Sequence, residues 1–138
     1  MQKASEIICN ILKQNQGSII VETLQGKSHK FSLGGDETYL ESQTALRSQK
    51  LGLNCFDIVM EFLLKNSGKA FKGSGRGKEN KVGKGKCTQD TICGCIAINY
   101  YRHIEGESTF DPVFAICAIL EYAGICNNTR GWLEIKCY

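Results

Sequence analysis

The chain has 138 residues, of which 42% are hydrophobic and 22% charged, with a net charge of +3. Length and composition are those of one ordinary globular domain rather than two. No apolar run reaches the roughly 20 residues that a bilayer span requires, and so small a net charge names no partner by itself.

The first residues, MQKASEIICNILKQNQG, set Ile7, Ile8, Ile11 and Leu12 in one helical stripe, which predicts a helix over 2–16 stopped at Gly17. They lack the continuous apolar core of a signal peptide, so a cytoplasmic location is expected. In that reducing compartment the eight cysteines (Cys9, Cys55, Cys87, Cys93, Cys95, Cys117, Cys126 and Cys137) are expected as free thiols, most of them small buried hydrophobes among Ile, Leu and Phe. Two β-like runs follow, Ser18–Leu24 and Ser28–Leu33, joined by Gln25, Gly26 and Lys27 as a hairpin.

Asp36 is placed to cap a second helix over 37–50. Glu37 and Glu41 lie near its start and Arg47 and Lys50 near its end, as the helix dipole favours. Its few anchors, Tyr39, Leu40 and Leu46, predict a surface helix. Asn54 is placed to cap a third helix, Cys55–Asn66, ended by Gly68, with Phe56, Val59, Met60, Leu63 and Leu64 as a wide apolar face.

Residues 65–86 differ from everything around them. They hold eight basic residues, one acid (Glu79) and six glycines, a local charge of +7, while the rest of the chain has nine basic against thirteen acidic residues. Such a stretch predicts a mobile loop with little surface to bury. Thr88 is placed to cap a fourth helix over 89–103, mostly apolar through Ile92, Cys93, Cys95, Ile96, Ile98, Tyr100 and Tyr101.

The last third has the most apolar element. Asp111 caps a helix over Pro112–Ala123, proline suits the first helical position, and Gly124 supplies the left-handed residue that closes it. Glu121 is the only charge in it, so this helix is expected in a core or an interface. Ile125–Cys126 and Trp132–Lys136 then pair across a polar tip, Asn127–Gly131. The fold class expected is α+β. Residues 1–53 form an N-terminal helix, hairpin and surface helix, and residues 54–138 the remainder.

From Asn54 onward the order helix, basic loop, helix, short link, helix and β-hairpin resembles a winged helix, the helix-turn-helix variant whose terminal hairpin is the wing. The resemblance covers about 80 residues and rests on element order. It implies a DNA-binding module, with double-stranded DNA as the partner and no cofactor. Lys69, Lys72, Arg76, Lys78, Lys81, Lys84 and Lys86 can each neutralise a phosphate, and glycines let the backbone approach the phosphate chain closely. Lys65, at the loop's edge, has the same chemistry. The wing tip adds Asn127, Asn128 and Arg130, which suit backbone or minor-groove contact. The plain alternatives are a solvated linker and an ordinary polar turn. The helix in the recognition position has no Arg, Lys, Asn or Gln for base edges, so contact would fall to loop and wing.

Other chemistries find less support. Around Gly83-Lys84 the position five earlier is Lys78 and the next residue is Gly85, so the Walker phosphate-loop pattern fails. Cys87, Cys93 and Cys95 have C-x5-C and C-x-C spacings, not zinc knuckles, and no metal site is expected. Glu134-Ile135-Lys136 with Asp111 upstream has the form of a Mg²⁺-dependent nuclease site, a minor alternative because Asp111 already serves as a cap. His29 and His103 have no evident partner, and no catalytic residue is assigned. The main alternative to DNA binding is a protein–protein module or accessory subunit, a homodimer included, motivated by two neighbouring helices that are very apolar for so small a domain.

Overall fold

A computed structural model describes residues 2–136. The first helix, α1 (Ala4–Gln14), turns its apolar stripe inward, burying Ala4, Ile8 and Leu12. The hairpin follows as β1 (Ser18–Glu22) and β2 (Ser28–Leu33), antiparallel with Ile19 opposite Phe31 and Val21 opposite His29. The chain then departs from the expected helix over 37–50. It forms two short strands, β3 (Tyr39–Glu41) and β4 (Leu51–Gly52), separated by turns, and the first sheet has the order β1-β2-β3-β4.

The correction has a local cause. The Asp36 carboxylate accepts from the Thr38 N–H and hydroxyl and so builds a turn instead of starting a helix. Glu37 and Arg47 both take positive φ, which a helix interior excludes. The anchors Leu40 and Leu46 are fully buried all the same, reached from a strand and a turn.

Helix α2 (Asn54–Lys65) forms where its pattern predicts and buries Cys55, Phe56, Val59 and Leu63, but Asn54 is its first residue rather than its cap, Leu53 taking that position, and Leu64 of the expected apolar face is exposed. The basic segment after it is not structureless. It contributes β5 (Lys69–Phe71), which pairs antiparallel with the last strand. The expected helix over 89–103 is shorter. Thr91, not Thr88, caps it through its Oγ1, which accepts the Gly94 N–H at 3.0 Å. One α-turn, α3 (Ile92–Cys95), runs into a π-helical turn over Ile96–Tyr100, and the Tyr100 hydroxyl accepts the Gly52 N–H at 2.8 Å.

Helix α4 (Val113–Tyr122) starts one residue later than expected, with Pro112 at the N-cap position instead of the first helical one; Asp111, one residue farther out, accepts the Val113 N–H on Oδ1 at 3.1 Å, and the helix closes at Gly124 with φ +76°. The chain closes with β6 (Cys126–Thr129) and β7 (Trp132–Ile135), in a second sheet of order β5-β7-β6. Asn127 and Asn128 therefore lie within a strand, and the tip narrows to Arg130 and Gly131.

One core joins both halves: α1, β1, β2 and β3 share a continuous apolar cluster with α2, α4 and β7. Phe31 and Phe56 are fully enclosed in it, each stabilising the fold by about 2–3 kcal/mol through burial. The chain is a mixed α+β single domain. Every α4 residue from Ala115 to Leu120 is buried, with β1 packed on one side and β6 on another. Among the described residues no helix is long and apolar enough to cross a membrane.

Candidate functional site

The course of the basic loop is fixed by its backbone. Lys72 donates its N–H to the Gly131 carbonyl at 2.9 Å, and its own carbonyl accepts the Cys93 N–H at 2.9 Å. The loop's start is thereby held between the terminal hairpin and α3. Gly73 follows at φ +70°, where an added Cβ would lie 2.4 Å from the Lys86 carbonyl oxygen, so only glycine fits. Ser74 donates to that same Lys86 oxygen, and the Gly75 N–H donates to Asp111 Oδ2 at 3.0 Å.

Farther along, Asn80 braces the loop from inside. It is 6% exposed, its Nδ2 donates to the Arg76 carbonyl at 2.6 Å, and its Oδ1 accepts the Lys86 N–H at 2.8 Å. Val82 is buried beside it and exchanges backbone hydrogen bonds with the 106–107 turn.

This course opens a cleft of about 770 Å³ between the two halves of the domain. The β1–β2 hairpin supplies Lys27 and His29, with Thr44 beside them; His29 Nδ1 and Thr44 Oγ1 are 2.7 Å apart. The loop supplies Lys72 and Arg76, and the terminal hairpin Asn128 and Arg130. At the floor, Phe114 meets the His29 ring edge-on, 5.8 Å between centroids.

The electrostatics of the cleft are one-sided. Its wall holds the cations Lys27, Lys72, Arg76 and Arg130 and a single carboxylate, Asp111, whose two oxygens already accept backbone N–H groups. Among the described residues none of those four cations makes an ion pair. Lys72 is half-buried, and loss of solvent pushes its pKa below the ordinary lysine value, an effect that Cys117 and Glu121 partly offset. Asn128 is 7% exposed, and its Oδ1 has no hydrogen-bond partner although its backbone N–H donates to Glu121 at 3.2 Å. Buried polar atoms nearly always find partners. A cleft with unpaired cations and an orphaned amide oxygen can receive an anion that carries hydrogen-bond donors.

The sequence-predicted residues thus divide. Lys72, Arg76, Asn128 and Arg130 come together in the cleft. Lys69 does not: its ammonium lies 4.4 Å from the centre of the Trp132 ring, on the outward face of the second sheet. Asn127 is exposed in the strand, opposite Glu134. Lys78, Lys84 and Lys86 are exposed and Lys81 half-buried along the loop, outside the cleft wall. Lys27, His29 and Thr44 were missed, because nothing local in a hairpin turn reveals that it will face a loop some 50 residues away.

The other candidates are dispersed. Glu134 is exposed on β7 and takes no part in the wall that Asp111 lines. Cys87 and Cys93 face each other at 3.5 Å, whereas the Cys95 sulfur accepts from Asn99. Burial raises the pKa of all three thiols. Among the described residues no three His, Cys, Asp or Glu side chains gather into a metal-holding group. Cys137 lies outside the described residues. His103, for which the sequence suggested no partner, has Glu107 at 3.5 Å.

No protein-family model, curated protein or solved structure matches this chain.

Proposed function

We propose that this protein is a small cytoplasmic DNA-binding module that acts without a cofactor and holds its ligand chiefly by phosphate contacts. The observation that carries the reading is the convergence of unpaired cations from the basic loop and the terminal hairpin, joined by Lys27, on one cleft. Three further lysines, Lys78, Lys84 and Lys86, extend the positive surface along the exposed loop. The order α2, β5, α3, α4, β6, β7 supports the winged-helix resemblance.

Within this reading base recognition does not come from α4. A helix-turn-helix protein lays its recognition helix in the major groove, whereas α4 is enclosed by both sheets. Binding is therefore weakly sequence-dependent and strongly salt-dependent, since released counterions supply most of its free energy.

The test is anisotropy of a labelled duplex titrated across salt concentration. The expected log–log slope is about −0.9 per phosphate contact on a duplex. Replacing Lys72, Arg76, Lys78, Lys81, Lys84 and Lys86 together by Gln abolishes binding at physiological salt. Unchanged binding in that variant, or no binding by the wild type at low salt, overturns the proposal.

A protein partner or second copy has one observation in its favour. Phe71 is 51% exposed and lies against Trp132 with centroids 3.7 Å apart and rings tilted by 37°, an aromatic pair on the outward face of the second sheet. Sedimentation of the wild type beside Phe71→Ser separates this reading: a dimer that the substitution dissolves supports it, and a monomer in both removes it.

A further inference from the structure

We infer that the cleft is a pocket for one unpaired nucleotide, with Lys72, Arg76 and Arg130 on its phosphate, Phe114 against its base and Asn128 accepting from the base's exocyclic amine. The inference deepens the DNA-binding reading and rests on it, since it names the form in which the nucleic acid enters.

Size is the first argument. Pockets for small ligands run from about 300 to 1,000 Å³, and this cleft, about 770 Å³, has room for one nucleotide. The backbone of a duplex can run along the rim where Arg76 and Arg130 stand, but a stacked base pair cannot enter the interior, and a base released from the stack can. Chemistry is the second. The wall is not uniformly basic, as it would be for a bare anion. The cations stand on the loop and the hairpin tip, while Phe114 presents a half-buried ring braced by His29. Bases stack on aromatic rings irrespective of sequence, and cations alone would need no such ring.

The third argument is the orphaned acceptor. Asn128 is more than nine-tenths buried in the wall, and its Oδ1 meets no donor. Adenine, cytosine and guanine each offer an exocyclic amine, whereas thymine and uracil do not. The oxygen itself lies out of solvent contact, so the amide must turn towards the cleft for it to meet such an amine. Lys72 completes the picture: it is half-buried without a carboxylate partner, and burial weakens its hold on the proton. A bound phosphate restores what the lysine lost.

The same chemistry is available from a free mononucleotide and from the unpaired end of a strand. The experiment uses the full chain, with 5′-AMP, 5′-UMP, adenosine and inorganic phosphate as probes in calorimetry and amide chemical-shift mapping. Blunt and 3′-adenosine-overhang duplexes are run alongside. The expected result is that 5′-AMP binds at least tenfold more tightly than adenosine, phosphate or 5′-UMP and shifts the amides of Lys72, Phe114 and Arg130. Arg130→Gln, at an exposed hairpin tip where folding is not at stake, weakens 5′-AMP at least tenfold, and Asn128→Ala removes the preference over 5′-UMP. Saturation by free 5′-AMP as tight as by the overhang identifies a mononucleotide site; a much tighter overhang identifies a strand end.

Phosphate binding as tightly as 5′-AMP, or shifts that bypass the cleft, overturns the nucleotide inference. If the blunt duplex still binds in that case, the DNA-binding reading survives without it. If no duplex binds while 5′-AMP does, the DNA-binding reading falls and the pocket alone remains.

Discussion

Asn80 braces the middle of the basic loop, and replacing that residue tests whether the loop is ordered there. The side chain is 6% exposed and ties the Arg76 carbonyl at 2.6 Å to the Lys86 N–H at 2.8 Å, two groups ten residues apart. Asn80→Ala removes both bonds. At about 1 kcal/mol net for each neutral hydrogen bond, the loop loses about 2 kcal/mol, or about 30-fold in its opening equilibrium. Hydrogen exchange reads this directly. The Lys86 amide exchanges about 30-fold faster in the variant, because Asn80 is its partner. Asn80→Asp keeps an acceptor for Lys86 but sets a carboxylate oxygen against the Arg76 carbonyl, so it retains at most about half of that stabilisation. The loop also positions Arg76 in the cleft, and Asn80→Ala therefore weakens ligand binding several-fold without touching a ligand contact. A Lys86 amide that exchanges at the free-peptide rate in the wild type, or that ignores both substitutions, refutes the reasoning and returns the segment to a solvated linker.

Further outcomes follow from the packing. An added Cβ at Gly94 would lie 2.0 Å from the Thr88 carbonyl oxygen, so Gly94→Ala overpacks the start of α3 at about 1–3 kcal/mol, measured as a fall in Tm of about 4 °C per kcal/mol at this chain length. Burial pushes the Cys117 and Cys126 thiols up to about 12, from 9.0. The folded state keeps protons that the unfolded state releases above pH 9, so stability is intact below pH 9 and falls as pH rises towards 12, by about 1.4 kcal/mol per thiol per pH unit. A Tm that stays flat between pH 8 and 11 contradicts this. Cys9 alone among the described cysteines is not buried, and it is alkylated by iodoacetamide well before Cys55, Cys87, Cys93, Cys95, Cys117 and Cys126 in peptide mapping of the native protein.

The sequence made the strongly patterned elements plain. The α2 and α4 helices announce themselves through apolar faces and, for α4, through Gly124, which closes it, while Asp111 lies one residue outside the N-cap position and bonds the Val113 N–H from there. Residues 37–50 carry the charges of a helix in dipole order, yet a charge pattern cannot outweigh positive φ at Glu37 and Arg47 and an Asp36 already engaged with Thr38. The basic loop misleads in the opposite sense. Its composition is that of a disordered stretch, and two buried side chains, Asn80 and Val82, suffice to hold it in place. Of the candidate site, the cations were legible because their residue type carries the chemistry. Their partners Lys27, His29 and Phe114 were not, since tertiary approach alone brings them there.

The burial of α4 shapes what the rest of the chain can do. A helix with its run from Ala115 to Leu120 enclosed is the main apolar beam of the domain, with β1 of the N-terminal sheet packed against it. That sheet also has a tip. The β1–β2 hairpin that carries Ile19 and Val21 into the core ends in the turn that presents Lys27 to the cleft, and β2 places His29 against Phe114. The packing that encloses α4 therefore also creates the concave wall on which unpaired cations gather. Under the proposed nucleotide reading, contact falls to this concave pocket rather than to a helix face. The N-terminal half is accordingly part of the site as well as of the core, and a substitution at its turn, Lys27→Gln, weakens binding while leaving the hydrophobic contacts of the sheet unchanged.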